Sequence, residues 1–156
     1  MQERPYRVLF LCRSNCARSL MAERLVQALG HGQFEAYSAG SQPAAAADPR
    51  ALHELQQAGL DVSALVPKHW TVFLQPDAPV MDFVITLCDA VQNDVAPEWP
   101  GQPVSAHWHF ADPASAASGD PQALFHQVFR ELMMRVKLFI SLPEKMLQQT
   151  AFHPQP

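Results

Sequence analysis

Short apolar runs alternate along this chain with segments of helical periodicity, and this alternation restricts the possible folds more than any other feature. The runs Tyr6–Leu11 and Val80–Leu87 are typical of buried strands. Ser19–Leu29 and Pro121–Ile140 carry apolar residues at the spacing of one helix face. Because strands separated by helices form parallel βαβ units, we predict an α/β fold with a parallel sheet and helices on both faces.

Two further strands and another helix complete the pattern. Strands are predicted at Phe34–Ser38 and Pro103–Trp108. A helix is predicted to begin at Pro49, with Asp48 as its N-cap, and to end at Gly59. These elements extend the alternation of strands and helices over most of the chain.

Composition restricts the class of function. A chain of 156 residues, 48 % of them hydrophobic, is predicted to form one globular domain spanning 1–156. Its 11 Lys and Arg against 15 Asp and Glu give a net charge of −4, which argues against binding to nucleic acid or acidic membranes. Neither a signal-peptide core nor a membrane-spanning run is recognised, and three cysteines suit the reducing cytoplasm. Any anion must therefore be bound by a local site.

The strongest chemical signal directly follows the first strand. Cys12 is separated by five residues from Arg18 and Ser19, which begin the predicted helix. Loop N–H groups and the helix dipole would bind a tetrahedral oxyanion, and Arg18 can contact two of its oxygens. The same field should lower the pKa of Cys12 at least one unit below ~8.5, with the Ser19 hydroxyl donating to the sulfur. The predicted oxyanion-binding residues are Arg13, Ser14, Asn15, Cys16, Ala17, Arg18 and Ser19.

A second cysteine also follows a strand. The apolar run Val80–Leu87 ends directly before Cys88, as the run Tyr6–Leu11 ends directly before Cys12. Both thiols are therefore predicted at the carboxyl ends of strands. They meet only if the two strands are neighbours, which the spacing leaves open. A buried thiol with a packing role remains the alternative for Cys88, and Cys16 is a further candidate for a resolving thiol.

Four separated motifs resemble the arsenate reductases that share the low-molecular-weight protein tyrosine phosphatase fold, and the resemblance extends from Val8 to about Leu142. The motifs are LCRSNCARSLMAE (Leu11–Glu23), YSAG (Tyr37–Gly40), ITLCD (Ile85–Asp89) and HWHFADP (His107–Pro113). This resemblance implies a four-stranded parallel sheet of order 2-1-3-4. In that order the first and third strands are neighbours.

The resemblance also implies roles for individual residues. Cys12 is similar to the nucleophile and Arg18 to the main oxyanion ligand, while Asn15 matches the asparagine that shapes the loop. Asp112, in an Asp-Pro pair, matches the general acid that protonates the leaving oxygen. Without the resemblance, this aspartate would be interpreted as a turn residue. Cys88 matches the second redox cysteine.

The activity implied by the resemblance is reduction of arsenate to arsenite, with phosphate or sulfate as mimics of the substrate. The alternatives are a phosphotyrosine phosphatase that uses a Cys12 phospho-intermediate, and an oxyanion-binding module without catalysis. Ala114 stands where phosphotyrosine-specific members usually have an aromatic residue, which disfavours the phosphatase. No bound cofactor is implied. The electrons would come from glutathione with glutaredoxin, or from thioredoxin, although Val95 replaces the third cysteine of thioredoxin-coupled members.

Two possible cation sites are considered, the first from the residues themselves. His107 and His109 lie on one face of a predicted strand, but no further ligand has suitable spacing, so no metal site is predicted.

The second cation site follows from the resemblance alone. Some relatives bind potassium through residues that match Asn15, Glu23 and Ser38. The acid at their fourth position aligns with Lys68. We therefore hypothesise that the Lys68 ammonium takes the place of the ion and pairs with Glu23.

Overall fold

A four-stranded parallel sheet forms the centre of the protein. The computed structural model describes residues 4–92, 94, 97–115 and 119–142. The strands are β1 (Tyr6–Leu11), β2 (Phe34–Ala39), β3 (Phe83–Thr86) and β4 (Val104–His107). Their order is β2-β1-β3-β4, as predicted, so β1 and β3 are neighbours. Leu11 lies opposite Ala39 on one side and Thr86 on the other, which aligns the carboxyl ends of all three strands.

Helical segments cover both faces of this sheet. The α-helices are α1 (Arg18–Leu29), α2 (Pro49–Gln57), α3 (Asp89–Gln92) and α4 (Pro121–Ser141), and 3-10 turns occupy Trp70–Leu74 and Pro113–Ser115. Phe34 and Phe83 face Phe139 of α4. On the opposite face, Tyr37 contacts Phe73 of the first 3-10 turn. None of the helices within the described ranges is long and apolar enough to cross a membrane.

The starts of two helices are confirmed by their caps. The Asp48 carboxylate accepts a hydrogen bond from the Arg50 N–H at 2.9 Å, ahead of Pro49 at the first helical position of α2. Asp120 caps α4 in the same way. Gly59 follows the end of α2 with φ +79°, a conformation that costs a glycine little.

Other boundaries differ from the sequence prediction. The predicted strand Val80–Leu87 shortens to β3 because only Phe83–Thr86 are in register with both β1 and β4. Asp82 precedes them, with its backbone hydrogen-bonded to Arg7 and Val104 and its carboxylate accepting from the Arg7 N–H at 2.8 Å. The 3-10 turns and α3 were not predicted, since such short segments have no readable period. Val95, where the sequence lacks a third redox cysteine, lies outside the described residues.

Phe139 holds α4 against the sheet. Its ring lies 5.3–5.7 Å from the rings of Phe34, Phe83 and Trp108, and only 1 % of the residue is exposed. Three different elements therefore depend on this one side chain for their packing against α4.

We predict that Phe139→Ala lowers the free energy of unfolding by about 3–5 kcal/mol, because it leaves a cavity among three rings. Urea denaturation followed by circular dichroism measures the change. Leu138→Ala is the matched control, since Leu138 on the same helix is 63 % exposed and should change the stability little. Equal effects of the two substitutions would contradict the packing role of Phe139.

Candidate functional site

Two cysteines meet at the carboxyl edge of the sheet. Cys12 directly follows β1 and Cys88 follows β3, and both are buried. The ladder continues past the strand ends through a hydrogen bond from the Leu87 N–H to the Leu11 carbonyl at 2.9 Å. This alignment brings the two thiols close enough for each to shift the pKa of the other. The neighbouring strands thus settle the question that the spacing left open.

The loop after Cys12 directs its N–H groups inward. Its carbonyls at Arg13, Ser14 and Cys16 accept hydrogen bonds of 2.8–2.9 Å from the backbone of the segment 42–48. In a trans peptide unit the carbonyl and the following N–H point in opposite directions. The N–H groups of residues 14, 15 and 17 are therefore directed away from that segment, toward the loop's concave side. An inward ring of N–H groups is the arrangement that binds an oxyanion.

The start of α1 adds to this anion-binding potential. Ala17 occupies the N-cap position, and no side chain caps this end of the helix. The first N–H groups of α1 are consequently left for a ligand, and the positive end of the helix dipole lies beside them.

Gly40 allows the loop to approach the neighbouring segment closely. A Cβ at this position would lie 2.3 Å from the Arg13 carbonyl oxygen and 2.7 Å from that of Cys12. Backbone atoms cannot yield to such an overlap, so a larger residue would displace the loop. Sequence reasoning singled out the YSAG motif that contains Gly40 without identifying this role.

Asn15 holds the loop in shape, as its resemblance implied. This residue is fully buried with φ +50°, a conformation that asparagine tolerates better than most residues. Its amide donates to the Ser19 hydroxyl oxygen at 2.7 Å and accepts from the Lys68 N–H at 2.9 Å. The contact of Ser19 with Cys12 runs through the Ser19 backbone N–H. The Ser19 hydroxyl, the predicted donor, accepts from Asn15, which leaves its own proton available for donation.

The charge of the thiol pair lies on Cys88, so the prediction of a lowered pKa for Cys12 is wrong. The hydrogen bond that Cys12 donates to Cys88 raises the pKa of Cys12 well above its ordinary value, and burial adds to this. The same hydrogen bond lowers the pKa of Cys88 to about 5, with help from the backbone N–H groups of Arg13 and Val91. Arg18 and the Ser19 N–H do favour a Cys12 thiolate, but they are the smaller effects.

The side chains of Arg18 and Asp112 lie next to each other. Arg18 Nη1 donates to the Phe110 carbonyl at 2.7 Å, and its Nη2 lies 3.8 Å from Asp112 Oδ2. Asp112 Oδ1 also accepts from the Ala114 N–H at 3.0 Å, so the turn interpretation is correct alongside the proximity to Arg18. The structure therefore brings Arg18 and Asp112 together, and Arg18 also acts electrostatically on both thiols.

The remaining charged loop residue holds the loop in place. The Arg13 guanidinium donates to both carboxylate oxygens of Asp94, at 2.8 and 3.1 Å, and to the Ala90 carbonyl at 3.0 Å. Ser41 donates to the same carboxylate. Arg13 thus joins the loop to the segment after β3, and sequence reasoning gave no sign of Asp94. The Cys16 sulfur lies 3.1 Å from the Ser14 hydroxyl.

Lys68 occupies the region where the resemblance implied a potassium ion. Its ammonium donates to the Ser38 carbonyl at 3.3 Å, and the Ser38 hydroxyl donates to Glu23 at 2.5 Å. Burial lowers the pKa of Lys68, while attraction to Glu23 acts in the opposite direction. The ammonium thus lies beside one of the residues that would bind the ion, which disfavours potassium there, and among the described residues its expected pairing with Glu23 is an attraction at longer range than an ion pair.

The two histidines of the HWHFADP motif do have a third potential ligand. Asp89 Oδ1 lies 3.0 Å from His107 Nε2 and 3.2 Å from His109 Nδ1. The sequence argument against a metal depended on the lack of such a residue. Asp89 is remote in sequence, and only the pairing of β3 with β4 brings it to the histidines.

Comparisons with known proteins agree with this fold and site. The model of a family described as low molecular weight phosphotyrosine protein phosphatase matches residues 7–151. The chain is 34 % identical over 134 residues to an arsenate reductase of Halalkalibacterium halodurans, covering 85 % of this chain and 93 % of that protein. It is 32 % identical over 131 residues to the glutaredoxin arsenate reductase of Synechocystis sp., covering 84 % and 90 %. A solved arsenate reductase in the phosphate-binding state has a TM-score of 0.71 at 28 % identity, covering 87 % of this chain and 97 % of that one.

The thiol assignment predicts which cysteine reacts first with an alkylating reagent. At pH 6, above the Cys88 pKa of about 5, Cys88 should be labelled and Cys12 should stay protected. Peptide mass spectrometry after brief iodoacetamide treatment across a pH series measures both sites. Their burial is nearly equal, so access does not bias the comparison. Faster labelling of Cys12 at pH 6 would show that the charge lies on Cys12 instead.

The position of Lys68 predicts indifference to potassium. The midpoint of thermal unfolding should be the same in potassium and sodium chloride at constant ionic strength, because an ion bound only to the native state would raise it. Lys68→Gln removes the ammonium and serves as the comparison. A higher midpoint in potassium for the unsubstituted protein would contradict the replacement of the ion.

Proposed function

The chain belongs to the low molecular weight phosphotyrosine protein phosphatase family, and within that family we propose that it reduces arsenate to arsenite. The observation that carries this proposal is the placement of two buried cysteines at the ends of the paired strands β1 and β3, where each shifts the pKa of the other. A phosphatase needs one nucleophilic sulfur and water. A reductase needs a second sulfur within reach of the first, and this site has one.

The first step forms a bond between sulfur and arsenic. The inward N–H groups of the loop, the start of α1 and Arg18 bind the arsenate oxygens. The Cys12 sulfur attacks arsenic, and the departing oxygen leaves as water after Asp112 donates a proton. The product is a Cys12 thioester of arsenic(V). Asp112 suits this role because its Oδ2 lies 3.8 Å from Nη2 of Arg18, the residue that binds the arsenate oxygens.

The Cys12 proton has an acceptor in place. Cys12 donates its hydrogen bond to the Cys88 thiolate, so its proton can move to Cys88 as the Cys12 sulfur attacks arsenic. Arg18 and the Ser19 N–H stabilise the negative charge that develops on Cys12 during this transfer. The pair keeps its one negative charge while the proton moves, until the Cys12 sulfur bonds to arsenic, so the high pKa of resting Cys12 does not prevent attack.

The second step transfers two electrons to arsenic. Cys88 attacks the Cys12 sulfur and gives its proton to an oxygen of the departing arsenic group, and the sulfur–arsenic bond breaks with its electron pair on arsenic. Arsenic(V) becomes arsenic(III) and leaves as arsenite, while Cys12 and Cys88 form a disulfide. The buried position of both sulfurs keeps water away from the adduct.

An external thiol system must then reduce the disulfide. We propose glutathione with glutaredoxin as that system, which the name of the Synechocystis relative supports, with thioredoxin as the second possibility. The three cysteines are free thiols, as a reducing cytoplasm would keep them, and we assign the reaction to that compartment.

Replacing the second thiol should separate reduction from hydrolysis. In Cys88→Ser we expect arsenate reduction to fall by roughly tenfold or more at low external thiol, because the intramolecular attack is lost, and to recover partly as glutathione is raised. Hydrolysis of p-nitrophenyl phosphate should persist, since without the Cys88 thiolate Arg18 and the Ser19 N–H can stabilise the charge on Cys12 itself, and Asp112 still supplies the proton. Steady-state assays of the two activities measure the split.

Mass spectrometry after one turnover without reductant checks the same step directly. The unsubstituted protein should contain a Cys12–Cys88 disulfide, and so should Cys16→Ser, the matched cysteine variant in the same loop. A Cys12–Cys16 disulfide, or full arsenate turnover by Cys88→Ser at low thiol, would remove Cys88 from the mechanism. Steady phosphatase turnover without any arsenate reduction would favour the phosphatase reading.

A further inference from the structure

A cluster of two histidines and an aspartate lies at the carboxyl edge of β4, outside the catalytic loop. Asp89 is the first residue of α3, His107 is the last of β4 and His109 follows two positions later. One potential ligand atom from each lies within 4.8 Å of the other two. Asp89 and His109 are exposed, whereas His107 is half-buried, so the cluster opens toward solvent on one side.

We propose that Asp89, His107 and His109 bind a divalent transition-metal ion, with zinc as the best fit. Two imidazoles and one carboxylate are a donor set that zinc uses when water fills its fourth position. Zinc–nitrogen bonds of about 2.0 Å separate tetrahedral ligands by roughly 3.3 Å. The separations of 3.0 and 3.2 Å between Asp89 and the two histidines are already close to that value.

The hydrogen bonds around His107 are compatible with a metal ion in the cluster. The Thr86 hydroxyl lies 2.7 Å from His107 Nδ1 and can accept from it as an N–H, since the same hydroxyl can donate to the Ala106 carbonyl at 3.4 Å. In that tautomer the Nε2 lone pair faces Asp89 Oδ1, 3.0 Å away, and a metal ion would bind both atoms in place of the proton that they otherwise share.

Thr86 also orients His107 in the way that outer-shell partners orient metal ligands. A histidine that binds a metal usually donates its other ring N–H to a neighbouring acceptor, which fixes both the tautomer and the ring. The side chain of His107 is only 19 % exposed, which restricts it further. Asp89 and His109 can then close on an ion held by a fixed first ligand.

A metal ion at this cluster would join α3 to the end of β4. Among the described residues, the contacts from Asp89 to the two histidines link these elements at the cluster. Because α3 has four residues, a bond at its first residue restrains the whole helix. Zinc should therefore slow hydrogen exchange of the α3 amides.

Cobalt(II) is the probe that tests the site, because its visible bands report the ligands. The intact protein, with its thiols reduced, should bind the first equivalent with nitrogen and oxygen ligation and without a thiolate-to-cobalt charge-transfer band. His109→Ala should weaken this binding at least about tenfold, since even outer-shell changes cost about 10–100-fold in affinity. Asp89→Asn should weaken it as well, and zinc should displace the cobalt.

His53→Ala is the matched control, because His53 is an exposed histidine on α2, remote from the cluster, and should leave binding unchanged. Circular dichroism verifies that each variant is folded. Equal affinity of His109→Ala and the unsubstituted protein would overturn the proposal. A charge-transfer band at the first equivalent would overturn it too, because the ion would then lie on cysteine.

Discussion

The pairing of β1 with β3 is the constraint on which the site depends. Its register places Leu11 opposite Thr86, so each strand delivers a cysteine to the same edge of the sheet. Each residue of a strand advances the chain by about 3.3 Å, so a shift of two residues would move the sulfurs out of hydrogen-bond contact. The rings of Phe34 on β2 and Phe83 on β3 pack against Phe139 and help to fix the register of the sheet, since a shift by one residue would turn them away from α4. Redox chemistry here is thus a consequence of sheet topology.

The strands and longer helices could be predicted because each has a local cause. Continuous burial identifies β1, the Asp-Pro pairs at Asp48 and Asp120 start two helices, and one apolar face runs along α4. The short segments could not be predicted, because α3 and the 3-10 turns are held by tertiary contacts. The length of β3 depends on its neighbours' lengths, which no local pattern records.

The same distinction between local and tertiary causes applies to the residues of the candidate site. Cys12 and Arg18 follow from local spacing, and the family resemblance adds Cys88 and Asp112. The position of the shared proton could not be predicted, because it depends on how closely Cys12 approaches Cys88 and on N–H groups from Arg13 and Val91. The link from Arg13 to Asp94 and the position of Asp89 beside two histidines are likewise products of the fold. Helix-dipole reasoning identified the right field and assigned its effect to the wrong sulfur.

Electrostatics explains why an acidic protein can bind an anion beside a thiolate. The net charge is −4 and the thiol pair adds a further negative charge at neutral pH, so the long-range field opposes the substrate. Binding must come from groups in direct contact, whose effect is strongest in a partly buried site. Arg13 is neutralised by Asp94, and Arg18 is bound to a neutral carbonyl with Asp112 at 3.8 Å. The charge of Arg18 is therefore less neutralised than that of Arg13 and more available to an oxyanion. The inward N–H groups supply the rest of the binding interaction without adding a full charge, which would slow release of the product.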